Sequence, residues 1–204
     1  MLIGLGWNAQ VGKDEVGKIL VKNHGFKRYA FADILKQALY NLNPTVQGID
    51  FKNYSCYGYY TIQKLVNDLG WEEAKKFPEV RSLLQRMGTE VGRNLFGEDF
   101  WVDRTMFEIG KSFEVEYLRS ITPFMRFKGN IVITDCRFVN EAEAVKDRGG
   151  VFIKVTREGV KPPNNHASEQ GISEHLIDGY IRNDGTLEEL ELGVAEMIKF
   201  LGEK

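Results

Sequence analysis

Apolar and polar positions along this chain follow two periods, and the change from one to the other marks the elements. Leu2–Gly6 is an apolar run that reads as a buried strand. Val16, Ile19 and Leu20 then recur at helical spacing, and Asn23-His24-Gly25 supplies a helix C-cap. Lys27–Phe31 reads as a second strand, followed by a helix on Ile34, Leu35, Ala38 and Leu39 that Asp33 could N-cap. Residues 43–60 hold Pro44, Gly48 and Gly58 among tyrosines and read as irregular surface structure. Three helical stretches are expected next. They are Ile62–Leu69, then Val80–Leu95 with Val80, Leu83, Leu84, Met87, Val91 and Leu95 on one side, then Phe100 to about Leu118.

Ile131–Thr134, apolar and β-branched, predicts a buried third strand with Asp135 at its end. Asn140–Lys146 reads as a helix, Val151–Thr156 as a fourth strand and Gly179–Arg182 as a fifth. Thr186 with Glu189 forms a capping-box pattern before a C-terminal helix carrying Leu187, Leu190, Val194, Met197, Ile198 and Leu201. Strands separated by helices imply an α/β fold with a parallel, doubly wound sheet, which binds ligands beyond the carboxyl ends of its strands. Gly12-Lys13, Asp33, Asp135 and Arg157 all follow strands, so one crevice is expected to gather them.

Composition narrows the function. The chain has 204 residues, enough for one domain with insertions, and 43% hydrophobic and 27% charged content is ordinary for a globular protein. A net charge of −2 argues against a nucleic-acid polymer as partner. Cys56 and Cys136 form no metal or disulfide pattern, which fits a reduced, cytoplasmic setting, and His24, His166 and His175 lack metal-ligand spacing. There is no signal-peptide pattern and no apolar run long enough to cross a membrane.

The chemistry concentrates after the first strand. Residues 7–13 end in Gly12-Lys13 and lead into a helix, the arrangement of a loop whose N–H groups and helix dipole hold phosphates while the lysine reaches the β- and γ-phosphates. The motif departs from the usual pattern at two points. Trp7 stands where the first glycine is expected, and Asp14 stands where Ser or Thr follows the lysine. Asp14 could hold Mg²⁺ directly or through water, and Asp135 could supply a second carboxylate. Arg137 could bridge transferring phosphates; the alternative pairs it with Glu141 or Glu143 and leaves Asp135 capping a turn. Asp33, beside Lys36, serves as a cap or as a general base for a hydroxyl acceptor. Gln85, Thr89 and Arg93, with Arg86 nearby, lie along the non-core side of one helix, either as a phosphate- and base-reading face or as a solvated one. Phe31 and Trp101 could stack on a base or belong to the core, and Asn183 could lie near an adenine. Arg157, Lys161, His166, Ser168 and Glu169 sit in or beside the polar 157–175 loop, which could close over phosphates.

With these segments in order, the chain resembles the phage and bacterial deoxynucleoside monophosphate kinases, within the P-loop nucleoside monophosphate kinases. The resemblance rests on Gly12-Lys13-Asp14, Phe31-Ala32-Asp33-x-x-Lys36, Leu84-Gln85-Arg86-Met87-Gly88-Thr89-Glu90, Phe100-Trp101, Thr134-Asp135-x-Arg137-Phe138-x-Asn140-Glu141, His166-x-Ser168-Glu169 and Asn183-Asp184-Gly185-Thr186. It implies a three-layer P-loop kinase fold with a core at about 1–32, 129–156 and 178–204. A helical monophosphate-binding insertion would occupy about 33–128, and a lid about 157–177. It implies transfer of the ATP γ-phosphate to a deoxynucleoside monophosphate. Val11, Gly12, Lys13, Asp14, Glu15 and Asn183 would bind ATP. Asp14 and Asp135 would belong to the Mg²⁺ environment, and Lys13, Asp135 and Arg137 would be catalytic. The acceptor side would take Phe31, Asp33, Lys36, Gln85, Arg86, Thr89, Arg93, Trp101, Arg137, Arg157 and Glu169. A homodimer is compatible with this reading. Three other readings stand beside it: a kinase of another small acceptor such as dephospho-coenzyme A, a non-catalytic nucleotide-binding module, and a structural protein that has kept the fold.

Overall fold

The computed structural model describes residues 1–49, 57–113, 115–117, 125–160 and 172–203. The first part runs β1 (Leu2–Gly6), α1 (Lys13–His24), β2 (Lys27–Tyr29), α2 (Phe31–Leu42), β3 (Thr45–Ile49) and β4 (Tyr57–Thr61). Next come α3 (Ile62–Ala74), α4 (Pro78–Arg86), a π-helix (Met87–Phe96), α5 (Phe100–Ser112), β5 (Val115–Tyr117) and β6 (Met125–Phe127). The chain then continues through β7 (Ile131–Cys136), α6 (Val139–Asp147), β8 (Val151–Thr156), a 3-10 turn (Glu174–Leu176), β9 (Gly179–Arg182) and α7 (Leu187–Gly202). It divides into two compact units, Met1–Phe31 with Val102–Lys204, and Ala32–Trp101.

The first unit is built on a parallel sheet in the order β2-β7-β1-β8-β9. β1 is buried at every position, as a central strand covered on both faces must be. Its alternate residues feed two cores. Ile3 and Leu5 pack with Val16, Ile19 and Leu20 of α1 and Leu190 and Val194 of α7. Leu2 joins Ile131, Ile133, Phe152, Ala142 and Val145, together with Val102, Met106 and Ile109 of α5. This is the expected three-layer α/β sandwich. Each fully buried Ile or Leu here contributes roughly 1.5–3 kcal/mol.

Beyond Leu2, the same side of β1 is filled by its neighbours at Gly4 and Gly6. A Cβ on Gly6 would lie 2.1 Å from the Phe152 ring. Pairing between β1 and β7 shifts register between Gly4 and Gly6 and resumes with Gly6 opposite Cys136, the last residue of each strand. The chain also changes direction there, because β7 and β8 flank β1 on opposite sides. That is where a doubly wound sheet opens its crevice.

Several elements differ from expectation. The second strand stops at Tyr29, and α2 already begins at Phe31, which places Asp33 inside the first turn and not at the N-cap. Residues 43–60 are not irregular in their described part: Thr45–Ile49 and Tyr57–Thr61 pair as an antiparallel hairpin, and Asp50–Cys56 lie outside the described residues. The stretch Phe100–Leu118 ends as helix at Ser112, and Val115–Tyr117 pairs with Met125–Phe127. Ile62–Leu69 extends to Ala74 through a kink at Gly70, whose φ is 77°.

The Val80–Leu95 helix is α-helical only to Arg86 and then winds as a π-helix. The changed winding turns Val91 and Leu95 outward, at 40% and 70% exposure, and turns Gly92 inward. Trp101 is the reason visible in the packing. Its Nε1 donates to the Gly88 carbonyl at 2.9 Å, and a Cβ on Gly92 would fall 2.0 Å from that nitrogen. The second unit's core otherwise comes from Leu39, Val46, Ile62, Leu65, Phe77 and Val80.

Gly6→Ala is expected to cost about 1–3 kcal/mol by overpacking. Thermal denaturation checks this, and Phe152→Leu in the same chain should restore part of the loss.

Candidate active site

Between β1 and α1 the backbone takes left-handed conformations at Trp7 (φ 107°), Gln10 (φ 66°) and Gly12 (φ 96°). Gly12 fits such a φ, and a Cβ there would lie 2.1 Å from Asn183 Nδ2. Glycine is therefore required at Gly12 on two counts. Trp7 sits where the motif expects glycine and holds a glycine-like φ at a cost of roughly 1–3 kcal/mol. An offset lies directly over its ring. Lys154 Nζ is 3.4 Å from the Trp7 ring centroid, and the Lys154 side chain is only 12% exposed. A desolvated cation–π contact on Trp is worth about 2 kcal/mol, the same order as the strain.

The loop is held from three sides. Lys13, 8% exposed, donates from Nζ to the carbonyl of Trp7 at 2.8 Å and to that of Asn8. Asn183 Nδ2 donates to the Val11 carbonyl at 3.0 Å. Gly12 opens α1, and its carbonyl accepts from the N–H groups of Glu15 and Val16. Glu15 pairs with Lys18 on the surface at 2.9 Å.

The carboxyl ends of β7, β8 and β9 complete a cavity of about 460 Å³, within the usual size of a small-molecule site. Gly12, Lys13, Asp14, Glu15, Asp135, Arg137, Arg157 and Asn183 line it. These are eight positions that the sequence reading had placed at the site. Val11 lies beneath, 1% exposed. The sequence reading missed Thr134, whose Oγ1 accepts from Arg28 Nε at 3.2 Å and which also lines the cavity. It also missed Lys154; the one available signal was a lysine inside the apolar run Val151–Thr156.

Asp135 does two things. It lines the cavity, and its Oδ1 accepts from the backbone N–H of Phe31, the first residue of α2, at 2.7 Å. A carboxylate at a helix N-terminus is favoured by the unpaired N–H groups there and by the dipole. This carboxylate from β7 takes the capping task expected of Asp33. Arg137 is exposed, one residue beyond β7. The buried carboxylate of Glu141 anchors the backbone there, accepting from the N–H groups of Arg137 at 2.6 Å and Phe138 at 3.0 Å.

Other residues are placed elsewhere. Phe31 is 4% exposed and belongs to the core of the first unit with Val102 and Met106. Asp33 and Lys36 on α2, Gln85 and Arg86 on α4, Thr89 and Arg93 on the π-helix, and Trp101 belong to the second unit. Arg86 pairs with Glu90 at 3.3 Å. The Trp101 indole is committed to Gly88 and packs edge-on to Phe100 at 4.9 Å. Lys161, His166, Ser168 and Glu169 lie outside the described residues.

Burial pushes the Cys136 thiol well above its ordinary pKa, helped by the negative charges of Glu141 and Asp135. Among the described residues no group of three or more His, Cys, Asp or Glu could hold a metal ion, and no helix is long and apolar enough to cross a membrane.

A family model described as "Deoxynucleotide monophosphate kinase" matches residues 42–194. A protein of Acanthamoeba polyphaga mimivirus named a putative deoxynucleotide monophosphate kinase is 30% identical over 193 residues, 93% of this chain and 91% of that protein. Proteins of Escherichia phage RB69 and Enterobacteria phage T4, both named deoxynucleotide monophosphate kinase, are 32% and 31% identical over 59% and 60% of this chain. Those matches span 45% and 46% of the two phage proteins, just under half their length. Among solved structures, a dephospho-CoA kinase from Campylobacter jejuni is similar at a TM-score of 0.46 and 13% identity, over 99% of this chain and 97% of that one.

Two outcomes follow from the site. Asp135→Ala is expected to destabilise the fold by about 1 kcal/mol through the lost cap, whereas Asp135→Asn, which keeps an acceptor, leaves the melting temperature nearly unchanged. Glu174 is held below its ordinary value of 4.5, first by the hydrogen bond from Lys154 and then by that from Tyr180. Folding therefore favours its ionised form, and the stability it adds is present above pH 4.5 and fades as pH falls through the lowered pKa. The melting-temperature gap between wild type and Glu174→Gln should accordingly close as pH is lowered from about 7 to about 3.

Proposed function

The chain belongs to the deoxynucleotide monophosphate kinase family, and we propose that within it this protein transfers the ATP γ-phosphate to a deoxynucleoside monophosphate, releasing the diphosphate and ADP. One observation carries the reading. A phosphate-type loop at the head of α1 shares a single cavity with Asp14, Asp135, Arg137 and Arg157. Phosphoryl transfer asks for that arrangement, because positioning and electrostatics supply most of its catalysis.

Each residue has a part in this proposal. The N–H groups of residues 11–15 and the α1 dipole hold the donor phosphates. Lys13 leaves the Trp7 and Asn8 carbonyls to meet the β- and γ-phosphates. Arg137 and Arg157 steady the charge that spreads over the transferring group. Asn183 secures the loop from behind and borders the nucleoside of ATP.

The donor set suits Mg²⁺, which takes one or two carboxylates and fills its other positions with water and phosphate oxygens. Asp14 and Asp135 are two carboxylates lining one cavity, the number of protein ligands such an ion takes. Bound there, Mg²⁺ would neutralise charge on the β- and γ-phosphate oxygens.

We assign the acceptor to the Ala32–Trp101 unit, with Lys36, Gln85, Arg86, Thr89 and Arg93 as its polar groups and Trp101 as the strut of the π-helix. Asp33 contributes to this acceptor side, and Phe31, buried in the first unit's core, anchors the start of α2. A phosphate acceptor is already largely ionised at neutral pH, its second pKa being about 6, so no general base is required. The segment at 157–177, carrying Arg157 and Glu169, acts as the lid that keeps water out.

A coupled assay of ADP formation, with ATP, Mg²⁺ and each common deoxynucleoside monophosphate, tests the reading directly. Turnover with at least one of them is expected. Turnover only with dephospho-coenzyme A or another hydroxyl compound would replace the acceptor, and ATP binding without turnover would leave a binding module. Lys13→Met is expected to lower kcat by about 10²–10³, the usual loss for one charge-stabilising group, while the protein stays folded by circular dichroism.

A further inference from the structure

Lys154 lies outside the cavity and has no part in the chemistry above, yet its contacts lead to the phosphate loop. Its Nζ stands over the Trp7 ring and pairs with Glu174 at 2.8 Å. Glu174 also accepts from the Tyr180 hydroxyl at 2.7 Å, and the Tyr180 ring lies 5.7 Å from the same ammonium. Four segments thus meet at one lysine: the start of the phosphate loop, β8, the 3-10 turn and β9.

The contact matters because of what Trp7 does. Its carbonyl is one of the two that hold the Lys13 ammonium. Its φ of 107° is one that an L side chain adopts only when its surroundings enforce it. In the usual motif a glycine takes this backbone shape without help. Here the residue has a large ring, and the surroundings that hold the ring include a nearly buried cation.

We propose that Lys154 is a positioning residue for the phosphate loop: it fixes the Trp7 ring, and through the Trp7 backbone it sets where Lys13 stands. The proposal rests on the reading that this loop binds ATP phosphates. It makes Lys154 and Trp7 a pair, so that loss of either releases the same constraint. The acceptor side should not feel the change, because no link in the chain of contacts from Lys154 to Trp7 to Lys13 involves the acceptor.

The test combines kinetics with ATP binding by equilibrium titration, on wild type, Lys154→Met, Lys154→Arg, Trp7→Leu and the Lys154→Met/Trp7→Leu double variant. Lys154→Met should weaken ATP binding or kcat/KM for ATP by about tenfold, with KM for the monophosphate within about twofold. Lys154→Arg, which keeps a cation over the ring, should stay within about threefold of wild type. In the Trp7→Leu background, Lys154→Met should add less than about a twofold loss. Unchanged ATP parameters in Lys154→Met would overturn the proposal, as would a loss that is additive with Trp7→Leu or an equal shift in KM for the monophosphate. If Lys154→Met does not fold, the comparison of Lys154→Arg with Trp7→Leu decides: equal losses in the two would overturn it. Wild type that binds ATP but turns over no monophosphate defeats the proposed reaction while the titrations still decide the role of Lys154. Wild type that binds no ATP overturns both.

Discussion

A loop that offers its backbone N–H groups to a ligand cannot spend them on holding itself in place. That constraint governs the region around residues 7–12. The loop's carbonyls are held instead: the Trp7 and Asn8 carbonyls by the Lys13 ammonium, and the Val11 carbonyl by the Asn183 amide. Its first residue is held by its ring under Lys154. These supports come from β8, the β9–α7 connection and α1, all fixed by a sheet whose central strand is buried on both faces. The rigid part of the fold serves to keep a strained, polar loop open toward a cavity.

Charge within the cavity is mixed, and the mixture suits the reaction proposed. Lys13, Arg137 and Arg157 supply positive charge, while Asp14, Glu15 and Asp135 supply negative charge. A triphosphate alone would meet those carboxylates with repulsion. A triphosphate with a divalent cation would meet them with attraction. Asp135 also accepts from the first backbone N–H of α2, so one carboxylate joins the β7 strand end to the start of that helix.

Much of the sheet was legible in the sequence, because buried parallel strands are short apolar runs and their helices carry plain signals. The Gly25 C-cap has a left-handed φ of 68°, and the Thr186–Glu189 capping box forms in both directions. What escaped either carries a weak local pattern or depends on contacts that periodicity does not record. The 45–49 and 57–61 strands are rich in Gly and Tyr and give no alternating apolar signal. The π-helix follows from Trp101 claiming the place beside Gly92 and the Gly88 carbonyl, which no periodicity records. The cap on α2 comes from a residue 104 positions away. The Trp7–Lys154 contact joins the loop position where glycine is expected to a lysine inside the fourth predicted strand, and no local pattern links the two.

The most direct test of the account is a crystal structure with Mg²⁺ and a bisubstrate analogue that links adenosine to a deoxynucleoside through a polyphosphate. The account predicts polyphosphate oxygens on the N–H groups of residues 11–15 and on Lys13 Nζ, with the metal on Asp14 or Asp135, directly or through water. It also predicts Trp7 still beneath Lys154 and the deoxynucleoside against the Ala32–Trp101 unit. A polyphosphate bound away from Gly12-Lys13, or a metal with no path to either aspartate, would contradict it.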